Sequence, residues 1–350
     1  MDDANAASLA CLPSVERSKL TKIIASDRCD QLLRILKRCQ QHSSRAAIAN
    51  LVLDRNDNTA VHIASHFAAI NSLRLLFDYG GEAVNVSLAN KEGKTALHEA
   101  VIGGSAQCVR LLLDRGWFVD AIKRGDWTPL MLAVTCARFE VTKLLIEQGK
   151  ANIHLVNKDG WNCFHLAVRS GDFTTVSYLL SLDECLFKNR SNNNRSPLHS
   201  CALHGHYNIA YYLINNKCYE SIDEKDMCGN TPFIEAIKSS SIAICKLLIA
   251  NDCDPRVSDK LQRNVLHIAA ECNADESIVY LLNELSFDVN EQCARNGFTA
   301  LHYAAKEGHS STIEILKQFQ CRLDLRDIKG RLPIDVAISF NHIQCVTLLK

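Results

Sequence analysis

Thr95-Ala96-Leu97-His98, Thr128-Pro129-Leu130-Met131, Asn162-Cys163-Phe164-His165, Ser196-Pro197-Leu198-His199 and Thr299-Ala300-Leu301-His302 are one phrase written five times. Looser copies start at Thr59, Thr231, Asn264 and Leu332, and successive starts lie 36, 33, 34, 34, 35, 33, 35 and 33 residues apart. Self-similarity at such a fixed period marks a fold built by stacking one small unit, in which each unit contacts only its neighbours. Length alone, at about 150 residues per domain, suggests two domains. A stacked fold grows without a second core, so the repeat favours one domain.

The stretch from Thr95 to Gly116 shows how a unit works. Thr95 is placed to cap a helix, its hydroxyl accepting from backbone N–H groups in the first turn. Ala96, Leu97, Ala100 and Val101 give that helix a narrow apolar face. Gly103-Gly104 ends it, because glycine tolerates the left-handed conformation of a sharp turn. Cys108, Val109, Leu112 and Leu113 then form the inner stripe of a second helix, at spacings of three and four. The chain from Gly116 to Asp126 runs out as a finger to the next unit. In Thr128-Pro129 and Ser196-Pro197 the proline falls at the first helical position, where its missing N–H is harmless.

Such a repeat with a Thr-Pro-Leu-His-x-Ala core resembles the ankyrin-repeat family. The resemblance implies an all-α solenoid of helix-turn-helix units joined by β-hairpin-like fingers. Nine anchored repeats are expected from about residue 56, with an N-terminal cap over 17–55 carried by Ile23, Ile24, Leu32, Leu33, Ile35 and Leu36. Residues 1–16 are expected to be a disordered extension. Leu332-Pro333-Ile334-Asp335 opens a degenerate last unit.

Composition narrows the function classes. Lys+Arg and Asp+Glu are equal at 39 each, so no global field steers the chain toward nucleic acid or an anionic surface. No apolar run approaches the roughly 18 residues of a membrane span. A basic n-region is absent from the first residues, so no secretory signal is read there. Of 13 histidines, His62, His98, His165, His199, His267 and His302 repeat one position of the phrase, which assigns them to the fold. His206 and His309 follow a glycine at the turn between helices and are read the same way. The 16 cysteines include no CxxC pair, and Cys108, Cys201, Cys245 and Cys345 sit at apolar helix positions. They read as small core residues, not as disulfides or zinc ligands. His204-Gly205-His206 has no third and fourth ligand at familiar spacing, so no metal and no cofactor is assigned. Cys163 and His165, two apart on one helix, diverge and form no nucleophile pair. With no GxSxG, phosphate loop, HExxH or GxGxxG, the chain is read as a binding protein and not an enzyme.

The finger tips carry the remaining candidates. Trp127 and Trp161 precede their helices one repeat apart, and with Trp117 they are the only tryptophans. They cover the finger base or face a partner, since tryptophan dominates interface hot spots. Lys123, Arg124, Lys158, Lys188, Arg190 and Arg195 accompany them, a modest basic patch too sparse for RNA or DNA.

From Asn90 to Lys329 the resemblance narrows. Ala121-Ile122-Lys123-Arg124-Gly125-Asp126-Trp127, Asn157-Lys158-Asp159-Gly160-Trp161 and Leu301-His302-Tyr303-Ala304-Ala305-Lys306-Glu307-Gly308-His309 resemble one vertebrate-type branch of the family. Members of that branch bind alanyl-tRNA synthetase and assist its editing, accepting misactivated serine on lysine side chains. The resemblance implies Lys158 and Lys188 as acyl acceptors, while Trp127, Trp161, Arg124 and Arg190 are read as partner contacts from the aromatic and basic patch at the tips. Where the branch has a third lysine this chain has Arg124, so Lys123 substitutes or that acceptor is lost. It further implies a cytoplasmic or nuclear monomer. The alternatives are a plain adaptor without acyl chemistry and a stoichiometric enzyme inhibitor. Asn290, in Asp288-Val289-Asn290, resembles the asparagine that oxygenases hydroxylate in many ankyrin repeats.

Overall fold

The structure, a computed structural model, describes residues 14–40 and 50–350. By internal contacts the chain forms two compact units, residues 1–175 and 176–350. The expected extension lies outside the described residues up to position 13, and Ser14 already opens a helix. His42 also lies outside them.

In the first unit a helix pair without the phrase comes first, α1 Ser14–Ala25 and α2 Cys29–Gln40. Three further pairs follow: α3 Ala60–His66 with α4 Ile70–Gly80, α5 Ala96–Gly103 with α6 Ala106–Asp114, and α7 Pro129–Thr135 with α8 Phe139–Glu147. A short 3₁₀ turn, Gly81–Ala83, follows α4. α9 is Cys163–Ser170, and α10, Phe173–Leu182, runs on into the second unit. There a 3₁₀ turn at Glu184–Lys188 precedes five pairs. These are α11 Pro197–His204 and α12 Tyr207–Asn215, α13 Pro232–Lys238 and α14 Ile242–Ile249, α15 Val265–Glu271 and α16 Asp275–Asn283, α17 Ala300–Glu307 and α18 Ser310–Gln318, and α19 Pro333–Ser339 and α20 Ile343–Leu348. Within each unit first helices stack on first helices and second helices on second. No extended strand occurs among the described residues. The fingers are held by isolated bridges such as Val52 with Thr59 and Ala89 with Thr95.

Every phrase start is a helix N-cap: Thr59, Thr95, Thr128, Asn162, Ser196, Thr231, Asn264, Thr299 and Leu332. Leu332 has no side-chain acceptor, and Asp335 answers by accepting its backbone N–H at 2.8 Å. The core is the apolar remainder of the phrase. Leu97, Leu112, Phe164, Phe233 and Leu301 are buried, as are the thiols of Cys108, Cys201, Cys245 and Cys345. Burial pushes the Cys163 thiol up to about 12, which keeps it protonated. Fourteen cysteines are free thiols among the described residues.

The fourth residue of the phrase ties one repeat to the next. His98 Nδ1 accepts the backbone N–H of Thr95 at 3.1 Å, and Nε2 reaches the carbonyl of Trp127 in the following finger at 3.2 Å. His62 does the same between Thr59 and Lys94, His199 between Ser196 and Asn230, and His302 between Thr299 and Arg331. An acceptor Nδ1 and a donor Nε2 specify one neutral tautomer. A second proton on Nδ1 would oppose an N–H donor. Burial holds His98, His199 and His267 down at about 4.

Two outcomes are expected. The unfolded chain takes these protons near 6.5 while the folded chain refuses them until about 4, so the full stability is present above 6.5 and is lost as pH falls toward 4. Each such histidine contributes up to about 1.4 kcal/mol per pH unit in that window. Thermal midpoints between pH 7.5 and 5 should fall steeply, and less steeply in His199→Gln; a flat profile would contradict the relay. Separately, Leu112→Ala and Leu301→Ala should each cost about 2–5 kcal/mol in chemical denaturation, because each deletes a buried side chain and leaves a cavity.

Candidate functional site

Six of the fingers follow one local rule. A residue five before the N-cap turns its side-chain oxygen back onto backbone N–H groups two and four positions later. Asp54 holds Asn56 and Asn58 at 2.9 and 3.0 Å, Asn90 holds Glu92 and Lys94 at 3.0 Å each, and Asn157 holds Asp159 and Trp161 at 2.9 Å each. Asp226, Asp259 and Asp327 repeat it in the second unit. The tips are also stitched along the row, Lys91 N–H to Asn56 O at 2.9 Å, Arg124 to Glu92 at 3.1 Å and Lys158 to Gly125 at 3.0 Å.

The third finger breaks this rule. Its residue five before the N-cap is Lys123, which offers no acceptor. The finger keeps the backbone bond that also closes its neighbours, Lys123 N–H to Trp127 O at 3.0 Å, but turns through two consecutive left-handed residues, Gly125 at φ +81° and Asp126 at +61°. Two such residues in succession are the backbone of a tight hairpin turn, and the first is tolerable because it is glycine. The Lys123 ammonium lies over the Trp127 ring, 5.4 Å from its centroid. Partial burial lowers the Lys123 pKa from the ordinary lysine range, the nearby charge of Lys94 adds to this, and Glu92 opposes it.

The other candidate residues fall into distinct places. Arg124 and Lys158 are exposed at adjacent tips of the first unit. Trp127 and Trp161 are half-buried, and Trp117 is buried against Phe77. Trp161 has the Arg169 guanidinium 4.9 Å from its centroid and the His165 ring at 6.5 Å. Lys188 and Arg190 belong to the second unit. Lys188 is exposed, whereas Arg190 is committed within the chain. It bonds Glu224, donates to the carbonyls of Phe187 and Asn189 at 2.9 and 3.0 Å, and lies 3.4 Å from Glu220. Arg195 is likewise spent on Asp226 at 3.3 Å and buried Glu235 at 2.8 Å. The expected role of Arg190 in partner contact therefore competes with intrachain pairs. Asn290 Oδ1 accepts the backbone N–H of Arg322 at 2.7 Å.

A cavity of about 280 Å³ in the first unit is lined by Asp54, Asn58, His66, Glu92, Lys94 and Glu99. Its carboxylates are already used: Glu99 meets His66 at 2.8 Å, Glu92 meets Lys94 at 2.8 Å, and Asp54 holds its own finger. Among the described residues no cluster of three His, Cys, Asp or Glu side chains could hold a metal, and no helix is long and apolar enough to cross a membrane. Lys94 and Gly125 went unnoticed in the sequence. Aligning Asp54, Asn90, Lys123 and Asn157 five before their caps is the signal that finds this finger.

The family model for ankyrin repeats (3 copies) matches residues 81–155, 148–226, 219–293 and 266–350. The chain belongs to the ankyrin-repeat family. It is 27% identical over 316 residues to human transient receptor potential cation channel subfamily A member 1, covering 84% of this chain and 27% of that protein. It is 34% identical over 137 residues to the mouse B-cell lymphoma 3 protein homolog, 39% of this chain and 30% of the relative. With the fowlpox virus putative ankyrin repeat protein FPV022 it shares 25% identity over 278 residues, 77% of this chain and 43% of the relative. The chain thus spans less than half the length of each of these curated relatives.

Because Arg190 balances partly buried Glu224, Arg190→Ala should destabilise the fold by about 1–3 kcal/mol through the carboxylate left unpaired. Urea denaturation beside the exposed Lys188→Ala, expected within about 0.5 kcal/mol of the parent, separates a residue of the fold from one of the surface.

Proposed function

We propose that the chain is a protein-binding adaptor that engages its partner through the fingers of the first unit. The single observation carrying this reading is the third finger, which abandons the acceptor used by its neighbours and presents cations and a half-buried indole instead. Departures from a local rule that most of a fold obeys concentrate at functional sites. Ankyrin repeats supply an extended surface with separate positions for the fold and for the partner.

A second and finer reading rests on the resemblance to the ankyrin repeat domain-containing protein 16 branch, with the lowered pKa of Lys123 in its favour. In that reading the partner is alanyl-tRNA synthetase and the chain accepts misactivated serine. The neutral amine attacks the carbonyl carbon of seryl-adenylate, an amide bond forms, and AMP and a proton leave. An ordinary lysine is neutral about once in 2,500 molecules at pH 7, so a lowered pKa enlarges the reactive fraction. Docking beside the leaking adenylate would raise the effective concentration of the amine. The two readings order the lysines differently. The resemblance favours Lys158 and Lys188, whereas the burial of Lys123 favours the substitute.

Affinity capture from cell lysate tests both readings. A stoichiometric partner lost in Trp127→Ala/Trp161→Ala, with helicity retained, is the adaptor outcome, and a loss of more than about 2 kcal/mol in affinity is expected for a hot-spot pair. Unchanged affinity would make the indoles part of the fold. Alanyl-tRNA synthetase as the captured protein, with seryl adducts on Lys123, Lys158 or Lys188 by peptide mapping after incubation with ATP and serine, is the editing outcome. Adducts on no lysine would leave the adaptor alone.

A further inference from the structure

In the first unit the finger hairpins at Asp54, Asn90 and Asn157 satisfy their inner N–H groups with an oxygen from their own chain. At the third finger that oxygen is missing and a cation stands at its sequence position. Three donors gather there: the Lys123 ammonium over the indole, the Gly125 N–H, and the Trp127 Nε1–H. The indole edge folds back on the glycine so closely that a Cβ at Gly125 would lie 3.2 Å from Cδ1 and 3.5 Å from Nε1. None of the three has an acceptor among the described residues. The carboxylates nearby do not fill the gap, because Glu92 is engaged by Lys94 at 2.8 Å and the Asp126 side chain meets none of these donors. Arg124, exposed at the same tip, adds a second cation.

We propose that the third finger is a carboxylate-receiving site, in which an Asp or Glu side chain of an acidic partner segment takes up the Lys123 ammonium, the Trp127 Nε1–H and the Gly125 N–H. The incoming oxygen takes from outside the Gly125 N–H, the counterpart of the N–H two positions on that Asp54, Asn90 and Asn157 hold from inside. The site rests on the adaptor reading and names the chemistry of its contact. Charge-assisted hydrogen bonds to a carboxylate are about twice as strong as neutral ones. A protein carboxylate fits better than a nucleic-acid phosphate. Single-stranded nucleic acid is held by bases stacked on open aromatic faces. Here Lys123 stands over Trp127, and Arg169 stands over Trp161.

The test uses the full chain labelled with 5-fluorotryptophan, whose three indole signals are assigned through Trp127→Phe. A glutamate-rich octapeptide is titrated in, with inorganic phosphate and a single-stranded oligonucleotide as comparison ligands. The expected result is a saturable shift of the Trp127 signal alone, driven by the peptide. Lys123→Asp is the decisive variant, since it restores the internal acceptor. It should melt no lower than the parent yet bind the peptide at least tenfold more weakly, with Lys123→Met intermediate. No Trp127 shift, an unchanged response in Lys123→Asp, or a stronger response to phosphate or oligonucleotide than to peptide would overturn the proposal. Lysate capture that persists through the other fingers in Lys123→Asp would overturn the carboxylate site while leaving the adaptor reading in place.

Discussion

A neutral imidazole held between two backbone groups is the constraint on which the rest of this structure depends. In His62, His98, His199 and His302 one ring nitrogen accepts from the N-cap of its own helix and the other donates to the finger of the next repeat. Each bond contributes only about 0.5–1.5 kcal/mol net. Their effect comes from position. One side chain fixes where a helix starts, where the following finger lies, and the distance between them, so the stacking offset is set locally and repeated. The helices are too short to persist in water alone, and their stability must come from that stacking.

The exceptions show how much slack the arrangement has. Met131, Ile234 and Asp335 replace the imidazole, and the helices they open are still capped. Thr128 and Thr231 accept the N–H three residues on at 3.2 and 3.4 Å, and at Leu332 the Asp335 carboxylate does the work. In the eighth repeat the finger is irregular. Ala294 stands where the oxygen acceptor is expected, the Cys293 thiol donates to the carbonyls of Leu261 and Gln262, and His267 reaches Glu291 instead of the residue before the next cap. A relay missing at one repeat is bridged by its neighbours, because apolar stacking of first helix on first helix continues past it.

The fold was legible because its period, its caps and its glycines are separate signals pointing to one answer. All nine starting residues of the phrase proved to be N-caps, since capping is decided within four residues of sequence. The candidate site was legible only as composition. Lysines and arginines near the tips could be counted, but which were spent inside the chain could not. Arg190 and Glu224 are 34 residues apart, and Arg195 meets Glu235 across 40. Those pairings depend on how one repeat lies on the next, which the spacing of the phrase does not specify. The tryptophans were left open between finger base and partner face, and the structure half-buries both beneath cations of their own repeats, Lys123 over Trp127 and Arg169 over Trp161.

Lys123 is the residue at which local and functional requirements part. An acceptor at its position costs nothing in sequence terms, since asparagine, aspartate or serine stands there in other fingers. Replacing it with lysine removes side-chain hydrogen bonds from the turn and places a charge where desolvation and the neighbouring Lys94 both disfavour it. The turn recovers part of this through a tighter hairpin and through the ammonium resting over an indole, a contact of about 0.5–1 kcal/mol in a partly exposed setting. That compensation accounts for the finger remaining folded. It does not account for a cation being there at all. A partner that brings a carboxylate, or a substrate that needs an amine, supplies the missing interaction, and both draw on the same property of Lys123: a donor held in place by the fold and left without an acceptor.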